Sequence, residues 1–240
     1  MAKMAHELSR KEMRGPDRFQ LVAANAAAWM GKQRKQIAIV AAGILVAAVL
    51  AAVVAHIVES GREDAGGAMS KAIDAASGQI SGVPAPDSEQ PVYKSVEDKE
   101  RAVLDLTSKV KKGSLGGRAG VTAALLEGDA HLALREWDRA TSAYQQFLAG
   151  SPKNDSLRFA ALDGLARAEE GKGDLAGAVK AYETASGIES FKDWALLGKA
   201  RVLAKAGKGA EARKVLEGVS SLSPLRGEAQ ERLSRLVGSR

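Results

Sequence analysis

The chain has 240 residues and a net charge of +6, and it contains no cysteine. This length suits one or two modest domains. The absence of cysteine excludes disulfides, thiolate metal sites and a cysteine nucleophile. Residues 1–35 have eight basic and three acidic side chains, whereas residues 59–240 have twenty-seven and twenty-six. The basic excess is therefore N-terminal, and the near-neutral remainder argues against a nucleic-acid partner.

Residues 1–35 are expected to form a basic arm on the cytoplasmic side of a membrane. A helix beginning near Asp17 would place Phe19, Val22 and Met30 at helical spacing, as in an interfacial amphipathic helix. The alternative is a polar flank whose basic side chains only set the topology. The sequence leaves both open. The residues expected to set the topology are Lys32, Arg34 and Lys35.

An apolar run follows the arm. Residues 37–55 read IAIVAAGILVAAVLAAVVA, without a polar side chain. A helix rises about 1.5 Å per residue and a bilayer core is about 30 Å thick, so the run is long enough to cross it. We predict one transmembrane helix over residues 36–58, with the basic N-terminus inside. The alternatives are a cleaved signal peptide, for which the arm and the apolar run are both long, and a buried core helix, which normally has a polar face.

Residues 59–95 are expected to form a flexible linker. The stretch SGQISGVPAPDSEQP is rich in glycine, serine and proline and has no apolar period, which is typical of an extended, exposed segment. Before it, Ala68–Ser77 has a composition that suits a short helix. The linker would separate a distal domain from the membrane surface.

Residues 96–240 contain an internal repeat. With a spacing of 34 residues, Gly164 aligns with Gly198 and Ala178 aligns with Ala212. Each copy consists of two stretches with helical periodicity, joined by a turn that is marked by glycine or by polar residues. A fixed period of this length is typical of stacked helical repeats.

This pattern resembles the tetratricopeptide repeat, a helix–turn–helix of about 34 residues with small side chains where its helices cross. The resemblance implies an all-α domain, a short right-handed α-solenoid of about three helix pairs with flanking helices, on a single N-terminal transmembrane helix. A generic antiparallel bundle is the alternative. The residues expected to pack the repeats are Gly128, Ala140, Tyr144, Ala166, Ala178, Tyr182, Ala200, Ala212 and Leu216.

The resemblance also implies a concave groove lined by the first helix of each pair. Arg167 and Arg201 lie one repeat apart and would stack along it, where they could meet an acidic side chain or a C-terminal carboxylate. The asparagines of the family's carboxylate clamp are absent. The alternative is that both arginines are solvated surface charges. The groove candidates, carried over by repeat position, are Asp129, Asp163, Arg167, Trp194, Arg201 and Lys205.

No motif indicates catalysis, a metal or a cofactor. His6, His56 and His131 lie in separate segments, and the sequence contains no HExxH. The glycine-rich stretch Gly113–Gly120 lacks the residue order of a phosphate-binding loop. We therefore expect neither an enzyme nor a cofactor site, and function by protein binding.

A basic N-terminus, one span and a short repeat domain together resemble the ancillary SecYEG translocon subunit family of bacterial inner membranes. The resemblance implies a single-pass inner-membrane protein with its N-terminus in the cytoplasm and its repeat domain in the periplasm. It implies a scaffold for protein–protein interaction, ancillary to the secretion channel and its chaperones. The alternative is a structural assembly factor of another envelope complex, for cell division or motility. The partner and the oligomeric state stay open.

Overall fold

The structure is a computed structural model that describes residues 33–81, 90–114 and 117–238. The chain divides into two compact units, Met1–Ile57 and Val58–Arg240. The described residues are almost entirely helical, as the sequence predicts for the fold class. The helices are α1 (Arg34–Ser77), α2 (Val96–Ser114), α3 (Arg118–Ala133), α4 (Trp137–Gly150), α5 (Arg158–Lys172), α6 (Leu175–Ala185), α7 (Lys192–Lys205), α8 (Gly209–Glu217) and α9 (Arg226–Gly238), with a 3₁₀ turn at Glu189–Phe191 and strands β1 (Gln79–Ile80) and β2 (Val92–Tyr93).

Helix α1 is continuous over 44 residues. Within the described residues, one helix is long and apolar enough to cross a membrane, and it covers Ile44–Ser77 with a mean hydropathy of 2.2 in its apolar window. None of the side chains in that window is buried, and Leu45 and Leu50, for example, are 67% and 60% exposed. A helix with apolar side chains exposed on all sides suits lipid and not the core of a folded domain.

The residues expected to set the topology lie at the start of α1. Arg34 is its first residue, and Lys35 follows in the first turn with an exposed side chain. Lys32 and the rest of the basic arm, including its possible amphipathic helix, lie outside the described residues. The direction in which the chain crosses the membrane therefore stays a prediction.

The expectation of a flexible linker over residues 59–95 is wrong for residues 59–77, because these residues continue α1. Strands β1 and β2 follow and pair in parallel, with Gln79 opposite Val92. In the same part of α1, Ala65 and Ala72 are only 2% and 0% exposed. The buried positions in this part of α1 are alanines, whereas a packed helix usually has large apolar side chains there. The sequence therefore shows only a weak apolar period.

The second half of α1 packs antiparallel on α2. Ala65 shares an apolar cluster with Val110 of α2, and ten residues later Ala75 shares one with Val103. The two backbones approach closely at Gly61, where an added Cβ would lie 2.9 Å from the carbonyl oxygen of Gly113. This helix layer therefore belongs to the Val58–Arg240 unit, which begins well before residue 96.

The repeat region consists of the helix pairs α3–α4, α5–α6 and α7–α8, followed by α9. Each helix packs on the next, and α5 also packs on α3 and on α7. The turns within the pairs pass through left-handed backbone at Arg135, Gly173 and Gly207, with φ of 59°, 85° and 75°. Gly173 and Gly207 adopt this conformation without strain, and Arg135 is the one non-glycine residue of the three. The glycine and polar residues that mark the turns in the sequence therefore lie at the turns of the structure. The first helices of consecutive pairs are neighbours, as in a stacked repeat.

The residues expected to pack the repeats are buried. The aligned alanines Ala140, Ala178 and Ala212 are all 0% exposed. Tyr144 is also 0% exposed, whereas the aligned Leu216 in the last pair is 1% exposed and has no polar group to place in a groove. The whole predicted set occupies buried positions: Gly128, Ala140, Tyr144, Ala166, Ala178, Tyr182, Ala200, Ala212 and Leu216.

Candidate functional site

An open cavity of about 650 Å³ lies between α5 and α7, and residues of the α3–α4 turn and of α9 also line it. We call it the α5–α7 groove. Of the six predicted groove residues, Asp129 on α3 does not line it. The five that do are Asp163, Arg167, Trp194, Arg201 and Lys205. The repeat brings these side chains together because α5 and α7 are equivalent helices of consecutive pairs and turn the same face toward the groove.

The wall of the groove is built where tyrosine rings cross glycines. A Cβ added to Gly128 would lie 2.6 Å from the ring of Tyr144. A Cβ on Gly164, from the following helix pair, would overlap the same ring, and one on Gly198 would overlap the ring of Tyr182. Only glycine leaves room for these rings, so the ring of Tyr144 packs against both α3 and α5.

Each tyrosine hydroxyl is held by an aspartate. Tyr144 donates a hydrogen bond to Oδ1 of Asp129 at 2.7 Å, and Tyr182 donates to Oδ1 of Asp163 at 2.7 Å. Loss of hydration in this concave wall raises the pKa of Asp129, against the effect of the tyrosine hydrogen bond. Burial first, and the bonded Asp163 next, raise the pKa of Tyr182 to about 12. Both predicted aspartates thus orient the tyrosines.

The charged centre of the groove is Glu170 on α5. Nη1 of Arg201 lies 2.7 Å from its Oε2, and Nζ of Lys205 lies 3.0 Å from its Oε1. Burial acts to raise the pKa of Glu170, but the hydrogen bonds from Lys205 and Arg201 outweigh it and lower the pKa. Arg201 also reaches the Tyr182 hydroxyl, with Nη2 at 3.4 Å. The two cations predicted to face a ligand therefore already hold a carboxylate of this chain.

Sequence reasoning missed four residues that build this site. Glu170 follows no repeated pattern, because its partners lie 31 and 35 residues further along the chain. Gly164 and Gly198 carry a usable signal, since they are glycines one repeat apart, but their contact with the tyrosine rings requires the fold. Trp137 also lines the groove and packs over Gly171, where an added Cβ would lie 2.6 Å from its ring.

The hydroxyl bond of Tyr144 gives a stability prediction. Tyr144→Phe is expected to lower the free energy of unfolding by about 1 kcal/mol, because the ring packing is kept and one hydrogen bond to Asp129 is lost. Chemical denaturation of the Val58–Arg240 unit measures this. Tyr93→Phe is the matched control, since within the described residues the Tyr93 hydroxyl has no hydrogen bond. An equal loss in both variants would contradict the role of the bond.

Metal ligands do not cluster in the part of the chain that the structure describes. No group of three or more His, Asp or Glu side chains there could hold a metal ion. His131 lies at the α3–α4 turn, where its Nδ1 is 2.7 Å from Oε2 of Glu136. This pair stabilises the turn next to Arg135.

Comparison with solved structures establishes the fold. The chain resembles a crystal structure of nearly identical TPR-like repeats from a protein classed as a Podosopora anserina kinesin light chain, with 19% identity and a TM-score of 0.50 over 59% of this chain and 79% of that one. The chain has a tetratricopeptide-like fold. A single-residue variant of the same protein gives a TM-score of 0.49 at 19% identity, over 59% and 78% of the two chains. No protein-family model and no curated protein matches this sequence.

Proposed function

We propose that this tetratricopeptide-like protein is a membrane-anchored scaffold that binds a partner protein in the α5–α7 groove. The observation that carries the proposal is the groove itself, a concave cavity of about 650 Å³ with charged and aromatic side chains on its walls. A concave site with a few convergent polar groups is where a ligand is expected to bind. Nothing in the site requires a cofactor or a chemical step, so we propose binding and not catalysis.

Trp194 is the expected anchor for the partner. Its side chain lines the groove, yet the residue is 54% exposed. Buried tryptophan and arginine side chains dominate the binding energy of many protein interfaces. Arg167 and Arg201 line the same groove, which therefore presents both an apolar and a cationic surface to a partner.

Anchoring supports a role beside a membrane complex. We propose that α1 spans the bacterial inner membrane, with the N-terminus in the cytoplasm and the repeats in the periplasm, ancillary to the secretion translocon and its chaperones. The apolar run of α1 and the basic arm before it support this orientation. Restriction to the membrane raises the local concentration of scaffold and partner, so a modest groove affinity would be sufficient.

The orientation is tested by reporter fusions. A reporter that is active only outside the cytoplasm is expected to be active when fused after Arg240 and inactive when fused at Gly15, because the basic residues before α1 keep the N-terminus inside. The reversed pattern would contradict the orientation. A soluble mature chain that begins at His56 would instead show that residues 37–55 are a cleaved signal.

The partner is tested by site-specific crosslinking in native membranes. A photo-crosslinking amino acid in place of Trp194 is expected to capture secretion-channel subunits or periplasmic chaperones. The control position is Leu222, which is 92% exposed but does not line the groove. Capture of division or motility proteins from Trp194 would favour the structural assembly role. Identical products from both positions would contradict binding in the groove.

Arg167→Glu is expected to reduce that capture several-fold without loss of folding. Arg167 is exposed, lines the groove and makes no ion pair within the described residues, so its reversal changes the groove charge. Its positive charge also acts on the Asp129–Tyr144 pair, so folding is measured beside binding. Arg118→Glu is the matched control, because Arg118 is also exposed but lies outside the groove. Crosslinking yields and circular dichroism of both variants measure the effect. Equal yields would show that Arg167 is an ordinary surface charge.

A further inference from the structure

The α5–α7 groove has a net positive charge. Five basic and three acidic side chains line it, which gives a net charge of +2. The whole Val58–Arg240 unit is far closer to neutral for its size, so the excess is a local property of the groove. The basic side chains are Arg135, Arg167, Arg201, Lys205 and Arg232, and the acidic ones are Asp163, Glu170 and Glu228.

The acidic side chains of the groove already have partners within the chain. Asp163 accepts from the Tyr182 hydroxyl at 2.7 Å, and Glu228 pairs with Arg232. Glu170 binds two cations at once, Arg201 at 2.7 Å and Lys205 at 3.0 Å. These two cations are 42% and 55% exposed, whereas the Glu170 side chain is 13% exposed and lies beneath them. Their outward faces are accessible to a ligand.

The excess charge comes from two arginines. Arg135 and Arg167 are exposed, and neither side chain forms an ion pair or hydrogen bond in the part of the chain that the structure describes. Arg167 lies on α5 three residues before Glu170, so both side chains point toward the groove. An acidic group that approaches Arg167 therefore also meets the field of the Glu170 carboxylate.

We propose that the groove accepts an acidic, extended segment of a partner protein, and that Glu170 competes with the carboxylates of that segment for Arg201 and Lys205. The proposal rests on the proposed function, because it names the partner chemistry of the same groove. Charge complementarity selects the acidic segment, and the exposed indole of Trp194 selects an apolar residue within it. Glu170 thus lowers the affinity for acidic segments, so that a single carboxylate without further contacts to the groove is bound only weakly.

A role for Glu170 in positioning the two cations predicts the opposite change in affinity. If Glu170 only positioned Arg201 and Lys205 for the ligand, neutralising it would disorder both cations and weaken binding. If it competes, Glu170→Gln keeps an oxygen that can accept from Arg201 and removes the repulsion. Partly exposed charge pairs contribute up to about 1 kcal/mol, so we expect Glu170→Gln to bind an acidic segment more tightly by a factor of up to about five.

The experiment uses the full chain in nanodiscs of neutral lipid and a fluorescent peptide of the repeat Asp-Ser-Leu-Glu. Binding is followed by anisotropy at several salt concentrations, beside a neutral peptide of the repeat Asn-Ser-Leu-Gln. The matched control is Glu183→Gln, because Glu183 also pairs between neighbouring helices, with Lys199 at 3.2 Å, but does not line the groove. The parent is expected to prefer the acidic peptide, and this preference is expected to weaken as salt rises.

The outcomes separate the alternatives. Tighter binding of the acidic peptide by Glu170→Gln, with no change in Glu183→Gln, supports the proposal. Weaker or unchanged binding by Glu170→Gln overturns the competing role of Glu170. Equal binding of the acidic and neutral peptides by the parent overturns the acidic partner. If crosslinking from Trp194 still captures a partner in that case, the scaffold function stands and only its acidic specificity is wrong.

Discussion

Ala178→Asp is expected to unfold the second and third helix pairs. Ala178 is 0% exposed and packs in one cluster with Ala166, Tyr182 and Val202. A carboxylate at this helix crossing has neither room nor a hydrogen-bond donor, so its burial should lower the free energy of unfolding by more than about 4 kcal/mol. Chemical denaturation and circular dichroism of residues 58–240 measure the loss.

The matched control for this substitution is Ala176→Asp. It lies two residues earlier on α6 and is exposed, so the same change should alter stability by no more than about 0.5 kcal/mol. An acidic residue in the first turn of a helix is also electrostatically favourable. Similar stability of the two variants would show that the repeat crossing does not lie at Ala178.

Gly164→Ala is expected to destabilise the repeats even though alanine is the better helix former. In a free helix this change stabilises by about 1 kcal/mol. Here the added methyl would overlap the ring of Tyr144, whose 0% exposure leaves it no space to move away. We expect a net loss of about 1–3 kcal/mol in the free energy of unfolding, typical of an overpacked core.

Gly227→Ala is the control for the glycine prediction. Gly227 lies on α9, and no atom stands within 4 Å of its added Cβ. This variant is therefore expected to gain up to about 1 kcal/mol from helix propensity alone. If Gly164→Ala gains stability as well, the ring of Tyr144 does not fill the space between the two helix pairs.

The sequence predicts the helix pairs well because their physical cause is local and repeated. A small residue at each crossing and a left-handed turn at Gly173 and Gly207 recur with the period of the fold. The same reasoning fails over residues 59–77, because the most deeply buried positions of this part of α1 are the alanines Ala65, Ala72 and Ala75. Small-residue helix contacts leave almost no hydrophobic pattern to detect.

In the groove, the sequence predicts which residues are neighbours but not which side chains form ion pairs. Repeat positions identify Arg167 and Arg201 as neighbours, since stacked helices place equivalent residues side by side. They do not identify Glu170 as the partner of Arg201, because this ion pair joins different repeat positions on α5 and α7. Side-chain pairing depends on the relative rotation of packed helices, which one sequence does not show.

The packing of α1 on α2 decides where a soluble fragment of this protein can begin. A fragment cut at residue 96 would lose Ala65 and Ala75 and leave the apolar side chains of Val103 and Val110 facing water. Such a fragment would aggregate readily and would give misleading binding data. Limited proteolysis should likewise spare residues 58–77. A soluble fragment for purification should therefore begin at or before Val58.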